Sequence, residues 1–285
     1  KKIFFIIFDE FDQGYLIKNI NKLPNFKKLY DSSYVNKNFY PPAKFTLDSI
    51  PAILTGSSTK KTIIKKGNLS IISNENKKID FNFENSIFNE VKKNKLTSSI
   101  YGFYHPYCKI FKVKICYDNF KLKQDINLNT IVKILLEVTY IEKFIPTTFL
   151  FKDPSNVKDL EKRIANISKV MINNSSSFVN SNTDLIYIHY PFPHSPLQTK
   201  GIINFNEDFK NLTDHEKNLQ LVDFTLENII ESLSKIENSL LIITGDHWER
   251  KINLNRTKPY KMVFLSKIIG DNDFYENKGS NNASS

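Results

Sequence analysis

The 285-residue chain lacks any apolar run of the roughly 18 residues that a helix needs to cross a bilayer. The best candidate, residues 131–151, is interrupted by Lys133, Glu137, Glu142 and Lys143. The sequence also has neither a signal peptide nor an initiating methionine, and its first apolar stretch starts almost at Lys1. We therefore expect the domain of a longer protein, with any targeting segment upstream.

Cysteine is scarce, since Cys108 and Cys116 are the only two and have seven residues between them. In an exported protein the two would pair, whereas in the cytosol they would be ordinary thiols. We expect them to form a disulfide.

Arginine is scarce as well, and only Arg163, Arg250 and Arg256 accompany the many lysines. Lys and Arg together number 40 against 30 Asp and Glu, so the formal net charge is +10. The lysines are scattered, without zinc-finger spacing or the glycine-aromatic signature of RNA-binding domains, so no nucleic-acid partner is expected. A basic surface is suited instead to anionic lipid head groups or phosphorylated substrates.

Strand patterns alternate with helical patterns along the chain, which favours an α/β fold with one mainly parallel central sheet and helices on both faces. The predicted strands are 2–8, 33–39, 98–103, 184–189, 240–245 and 261–265. The predicted helices begin at Pro24 and Ser49 and cover 87–93, 129–143, 156–173 and 218–233. We expect one domain over residues 1–269, with surface hairpins in 57–97, and a disordered polar tail over 270–285.

Acidic residues follow two of the predicted buried strands. Asp9 and Glu10 come directly after residues 2–8, and Asp246 and His247 come directly after residues 240–245. In open α/β sheets, ligands bind beyond the carboxyl ends of the strands. Acids gathered there repel one another unless a cation neutralises them, and a carboxylate beside an imidazole suits zinc or manganese. The alternative is a set of turn caps and a partly buried surface histidine.

Thr46 precedes a helix that is predicted to begin at Ser49-Ile50-Pro51 and to end at Gly56. A helix N-terminus stabilises a phosphate or a developing oxyanion, and a threonine activated by a metal is a competent nucleophile. The alternative is that Thr46 is only a cap or turn residue.

Histidines mark the exit of the 184–189 strand. His189 and His194 lie there among prolines that stiffen the loop, an arrangement suited to binding a substrate's phosphate. His194 is favoured because the prolines project it away from the strand, whereas His189 could face the core. His105 lies between aromatic residues, and for this residue a structural role is favoured over a ligand role.

With these segments in order, the sequence resembles the alkaline phosphatase/sulfatase superfamily, and within it the branch of phosphoethanolamine transferases and lipoteichoic acid synthases. The matching motifs are IIFDE at 6–10, LPNFKKL at 23–29, FTLDSIPAILTG at 45–56, PHSP at 193–196 and the helix–strand unit 218–248. The resemblance implies one divalent metal, zinc or manganese with magnesium or calcium as alternatives. The implied ligands are Asp9 or Glu10 or both, Thr46, Asp246 and His247. It also implies that Thr46 is the nucleophile, that His194 binds or protonates the phosphate, that Arg250 or Arg256 contributes charge near it, and that Trp248 lines the substrate pocket.

Departures from the superfamily's patterns narrow the expected function. Thr46 followed by Leu-Asp-Ser replaces the C/S-x-P-x-R motif of true sulfatases, so sulfate-ester hydrolysis through formylglycine is not expected. The late histidine of two-metal phosphodiesterases is absent, because His247 is the last histidine. We expect transfer of a phospho-group from a phospholipid or other phosphorylated donor to a cell-envelope glycan or lipid, at a membrane surface outside the bacterial cytoplasm. The alternatives are a phosphodiesterase or phosphatase that uses water, and an inactive domain that binds anionic glycans or lipids.

Overall fold

Ten strands form two sheets in the computed structural model, which describes residues 1–65, 68–118, 154–199, 202–203, 207–249 and 260–270. The strands are β1 (Ile3–Asp9), β2 (Tyr34–Val35), β3 (Lys61–Lys65), β4 (Asn68–Ile72), β5 (Lys78–Asp80), β6 (Ser98–Gly102), β7 (Ile115–Asp118), β8 (Leu185–Pro193), β9 (Ser239–Gly245) and β10 (Phe264–Ile269). The larger sheet has seven strands in the order β2-β10-β9-β1-β8-β6-β7, and β3, β4 and β5 form a separate antiparallel sheet.

The central sheet is mainly parallel, as predicted. Strands β9, β1, β8, β6 and β7 run in the same direction, and β10 runs opposite to them. The short edge strand β2 pairs antiparallel with β10 and therefore runs in the same direction as the other strands. A strand covered on both faces needs apolar residues at consecutive positions. β1 meets this requirement, because Ile6, Ile7 and Phe8 are all fully buried.

Helices cover both faces of this sheet, which confirms the predicted architecture. The described helices are α1 (Gln13–Asn19), α2 (Pro24–Asp31), α3 (Thr46–Thr55), α4 (Ile87–Lys93), α5 (Tyr107–Ile110), α6 (Pro154–Asn173), α7 (Ser175–Val179) and α8 (Asp214–Leu233). Successive strand residues point to opposite faces. Phe8 therefore packs in the hydrophobic cluster that includes α8, whereas Ile7 packs in the cluster that includes Ile50 of α3.

Helix α2 begins at the predicted Pro24, and a distant residue fixes its first turn. The backbone N–H of Phe26 donates to Asp223 Oδ1 at 2.8 Å, and Asn25 Nδ2 donates to Asp223 Oδ2 at 3.1 Å. Asp223 lies in α8, so the two predicted motifs LPNFKKL and 218–248 are joined by a buried helix cap.

Helix α3 begins at Thr46, three residues before the predicted start at Ser49. The N–H groups of Asp48 and Ser49 both donate to the carbonyl of Phe45, which closes the first turn earlier. Pro51 consequently lies inside the helix rather than in its first turn. The predicted end is confirmed, because Gly56 adopts the left-handed conformation with a φ of 63°.

Several other boundaries differ from the prediction. β2 contains only two of the seven residues predicted as a strand, β8 continues beyond His189 to Pro193, and α8 starts four residues early at Asp214. A capping box between Thr213 and Glu216 explains that earlier start of α8.

The remaining predictions are partly confirmed. Cys108 and Cys116 form the expected disulfide, and the 57–97 region contains the small antiparallel sheet and α4. The predicted helix 129–143 and the tail beyond Gly270 lie outside the described residues. No helix within the described part of the chain is both long and apolar enough to cross a membrane.

Candidate metal centre

The carboxyl ends of β1, β8 and β9 lie side by side, because these strands are parallel neighbours in the sheet. Asp9 is the last residue of β1, Asp246 and His247 follow β9, and His194 follows β8. Ligands bind at such strand ends in open α/β sheets. The topology therefore places the predicted acidic and imidazole groups at one end of the sheet.

Four predicted metal ligands face one another at this end. Thr46 Oγ1 lies 3.0 Å from His247 Nε2 and 3.3 Å from Asp9 Oδ1. His247 Nε2 lies 3.4 Å from Asp9 Oδ1 and 3.5 Å from Asp246 Oδ2. One ligand atom from each of Asp9, Asp246 and His247 lies within 4.8 Å of the others, and all three residues are buried. The structure thus brings together the groups that a shared cation would require.

One carboxylate oxygen of Asp246 is held by backbone N–H groups, and the other faces the remaining candidate ligands. Its Oδ1 accepts hydrogen bonds from the backbone N–H groups of Glu10 at 3.0 Å and His247 at 2.8 Å. The Ser49 hydroxyl donates to the Asp246 carbonyl, which ties α3 to the end of β9. Asp246 Oδ2 accepts no hydrogen bond from any described residue. A buried carboxylate oxygen left in this way is suited to bind a cation.

Nε2 of His247 faces the other candidate ligands, because the second ring nitrogen is hydrogen-bonded to the backbone. His247 Nδ1 lies 2.9 Å from the carbonyl oxygen of Trp248. A carbonyl can only accept, so Nδ1 carries the hydrogen and, in the neutral ring, Nε2 carries the lone pair. This arrangement is common for histidines that bind metals, because the outer hydrogen bond fixes the ring and its tautomer.

The two acids of the cluster cannot both ionise without cost. Burial raises the pKa of Asp246 to about 7, and the nearby charge of Asp9 acts in the same direction against the attraction of His247. Burial also opposes ionisation of Asp9, but the attraction of His194 and His247 outweighs it and lowers the pKa of that carboxyl. A bound divalent cation would neutralise both carboxylates. Two carboxylates, an imidazole and a hydroxyl therefore fit one zinc, manganese or magnesium ion.

Glu10 is placed outside this group, although the sequence left open whether it or Asp9 would bind metal. Its Oε1 lies 3.4 Å from Nε2 of His194, and its backbone has a left-handed φ of 60°. The His215 ring donates from Nε2 to the Glu10 carbonyl at 2.8 Å. The geometry supports Asp9 as the ligand and gives Glu10 a different set of contacts.

The residues predicted to contact substrate differ in their access to solvent. The His194 side chain is 27% exposed, whereas His189 is fully buried and lies with Nδ1 2.8 Å from the Tyr107 hydroxyl. Burial lowers the pKa of His189 to about 4, so its ring is neutral at neutral pH. Trp248 is only 6% exposed, and Arg250 and Arg256 lie outside the described residues. His194 is therefore the histidine at the mouth of the site.

His105 contacts the site, which sequence reasoning did not anticipate. Its Nε2 lies 3.4 Å from the Thr46 carbonyl, and burial lowers the pKa of the ring to about 3. The neutral ring thus acts as a donor that holds the first residue of α3. His105 follows β6, which lies next to β8, so only the strand order reveals that His105 reaches this end of the sheet.

Comparison with known proteins matches nearly the whole chain to one family. The family model for type I phosphodiesterase / nucleotide pyrophosphatase matches residues 3–281. No curated protein sequence matches the chain closely enough to count as a relative.

Three solved structures illustrate the likeness in fold. A putative sulfatase from Bacteroides thetaiotaomicron has a TM-score of 0.57 at 10% identity, covering 94% of this chain and 64% of that one. The zinc complex of the C-terminal periplasmic domain of EptC from Escherichia coli has a TM-score of 0.51 at 12% identity, covering 94% and 73%. The lipoteichoic acid synthase LtaP from Listeria monocytogenes has a TM-score of 0.50 at 12% identity, covering 96% and 67%.

These likenesses show the fold of the alkaline phosphatase superfamily. The chain spans about two thirds of the length of many of the solved structures that it resembles, including 65% of Ps i-CgsB.

Proposed function

The chain belongs to the type I phosphodiesterase / nucleotide pyrophosphatase family, and we propose that it cleaves a phosphoester with Thr46 as nucleophile and passes the phospho-group to an envelope glycan or lipid. The observation that carries this proposal is the placement of Thr46 Oγ1, 3.0 Å from His247 Nε2 and 3.3 Å from Asp9 Oδ1. The Thr46 hydroxyl is buried and lies within hydrogen-bonding distance of an acid and an imidazole that could hold a metal beside it.

The metal would be held by Asp9, Asp246, His247 and Thr46. When bound, a divalent cation lowers the pKa of a ligating hydroxyl and neutralises the oxygens of the phospho-group. The chain supplies the remaining chemistry. Thr46 Oγ1 donates its hydrogen to Asp9 Oδ1, so a proton acceptor is already in contact with the nucleophile. Thr46 is also the first residue of α3, whose positive N-terminal end favours an approaching anion.

His194 is placed to handle the proton of the leaving group. In the first step Thr46 gives its hydroxyl proton to Asp9 and its oxygen bonds to phosphorus, the bond from phosphorus to the leaving oxygen breaks, and protonated His194 gives that oxygen a proton. In the second step the acceptor hydroxyl loses its proton to His194 as it bonds to phosphorus, the bond from phosphorus to the Thr46 oxygen breaks, and that oxygen takes its proton back from Asp9. The solvent access of His194 suits both exchanges, because donor and acceptor must enter and leave.

Three observations support an envelope substrate. The chain has a formal charge of +10, which suits anionic lipid head groups. The paired cysteines suit an oxidising compartment. The fold resembles the periplasmic domain of EptC and the lipoteichoic acid synthase LtaP. We infer a phospholipid as donor, a glycan or lipid as acceptor, and a location on the outer side of the cytoplasmic membrane.

The test is replacement of the nucleophile in protein loaded with zinc or manganese. Thr46→Ala should lower turnover of a phospholipid or of bis(p-nitrophenyl) phosphate on the order of 10³-fold or more. Thr55→Ala makes the same chemical change at the other end of α3 and should retain activity. Mass spectrometry should find a phospho-adduct on Thr46 of the wild-type protein. Wild-type turnover by Thr46→Ala would end the proposal.

A second candidate, favoured by the family match, is a phosphodiesterase that uses water as acceptor. Both candidates share the first step and differ in what attacks the Thr46 adduct. Incubation with a labelled phospholipid, with and without envelope glycan, separates them. Label transferred to the glycan favours the transferase, and the same rate of phosphate or phosphoalcohol release without any acceptor favours hydrolysis.

A further inference from the structure

The first turns of α8 contact both segments that carry the Glu10–His194 pair. His215 donates from Nε2 to the Glu10 carbonyl at 2.8 Å. Asn218 donates from Nδ2 to the carbonyls of His194 and Pro196, each at 2.9 Å. Residues three apart lie on one face of a helix, so a single face of α8 forms hydrogen bonds with the residue after β1 and with the loop after β8.

The His194 carbonyl receives a second buried hydrogen bond. Gln198 donates from Nε2 to it at 2.7 Å, and the Gln198 backbone N–H donates to Asn218 Oδ1 at 2.9 Å. The remaining side-chain oxygen of Gln198 accepts from Ser168 of α6 at 2.5 Å. Asn218, Gln198 and Ser168 are all fully buried. The loop that carries His194 is therefore anchored to two helices by amide groups whose donors and acceptors are used.

Glu10 is fixed at three points. Its N–H donates to Asp246, its carbonyl accepts from His215, and its carboxylate lies against His194. A left-handed φ is unfavourable for a residue with a side chain, and it persists only where the surroundings impose it. The contacts from Asp246 and His215 provide that constraint. As a result, the Glu10 carboxylate and the His194 ring are held 3.4 Å apart.

We propose that His215 and Asn218 are positioning residues that set the Glu10–His194 pair against the metal centre. The proposal rests on the role proposed above for His194. Apolar side chains would fill these buried positions without the cost of desolvating polar groups. Polar residues there instead fix the two backbone segments whose side chains form the pair, and a shift of about 1 Å in such a group costs about 100-fold in rate.

The test compares two Asn→Asp changes on the same helix. Asn218→Asp removes the donors to the His194 loop, whereas Asn228→Asp makes the same change at a partly exposed site of α8. Because the chain has only five histidines, histidine labelled at ring carbon Cε1 gives five NMR signals, and His194→Asn assigns one of them. In metal-loaded protein without substrate, Asn218→Asp should shift or broaden the His194 signal, and Asn228→Asp should leave it unchanged.

Kinetics on bis(p-nitrophenyl) phosphate give the second readout. Asn218→Asp should lower kcat by about 10- to 100-fold while KM changes far less, because substrate binding does not depend on the placement of the proton donor. If Asn218→Asp does not fold, Asn218→Ala and Gln198→Ala remove hydrogen bonds to the same loop without adding a charge. A folded Asn218 variant with an unchanged His194 signal and unchanged kcat would overturn the proposal. A wild-type protein without turnover would refute the proposed function, and the NMR comparison would still decide the positioning role.

Discussion

Asp246→Asn should stabilise the metal-free protein at high pH. Burial and the charge of Asp9 raise the pKa of Asp246 from the ordinary 3.8 to about 7. The folded protein therefore holds a proton on Asp246 between pH 4 and 7 that the unfolded chain has already released. The stability associated with this proton is fully present below about pH 4 and is lost as the pH rises through about 7. Asparagine mimics the protonated carboxyl and does not ionise.

The size of the effect follows from the shift. Each pKa unit corresponds to about 1.4 kcal/mol, so a residue that is protonated to about pH 7 loses about 3 kcal/mol of stability between pH 5 and 8. The free energy of unfolding of the wild type should therefore fall by about this amount relative to Asp246→Asn over that range. The neutral side chain can still accept the hydrogen bonds that Glu10 and His247 donate to Oδ1, which limits any structural change.

Urea unfolding in the presence of a chelator measures this difference. Wild type, Asp246→Asn and Asp31→Asn are compared at pH 5, 6, 7 and 8. Asp31 is an exposed acid paired with Lys27, so its substitution should change stability little at any pH. The titrating groups that lie away from residue 246 are common to all three proteins, and their contributions cancel in the differences. If the free energies of unfolding of the wild type and Asp246→Asn change in parallel with pH, the raised pKa of Asp246 is refuted.

Two further predictions concern metal binding and its separation from proton transfer. Zinc affinity of the wild type should fall about tenfold per pH unit below pH 7, because the cation must displace the proton of Asp246. Competition with a chromophoric chelator measures this affinity, and an affinity that does not change with pH would contradict the prediction. Asp9→Asn should lower zinc affinity by on the order of 100-fold, whereas Glu10→Gln should retain zinc and lose turnover. Loss of zinc from Glu10→Gln, measured by elemental analysis, would return Glu10 to the ligand set.

The ends of the central strands could be predicted from sequence because each combines two local signals. A run of apolar residues indicates a buried strand, and the acid or histidine that follows marks its carboxyl end. Parallel strands bring those ends together, so the proximity of Asp9, Asp246 and His247 follows from topology. The disulfide between Cys108 and Cys116 required only an assumption about the compartment.

What sequence did not reveal depends on contacts between distant segments. Phe45 is a poor helix cap by its side chain, and the early start of α3 accompanies the contact of Ser49 with Asp246. The role of His105 requires the order of β6 and β8 in the sheet, which no local pattern gives. The hydrogen bond from Asn218 to the His194 carbonyl likewise depends on the packing of α8 against that loop.

Asp9 and Glu10 are consecutive residues that contact helices on opposite faces of the central sheet. β1 ends at Asp9, and the left-handed φ of Glu10 turns the chain directly after it. Asp9 turns toward α3, whose first residue is the nucleophile, and Glu10 contacts α8, which holds the loop of His194. The metal and nucleophile are thus assembled by one helical layer and the proton-transfer pair by the other. The two groups are joined by the peptide bond between Asp9 and Glu10 and by the hydrogen bond from the Glu10 N–H to Asp246 Oδ1. A substitution on the α3 side should therefore impair metal binding and the nucleophile first, and one on the α8 side should impair proton transfer first.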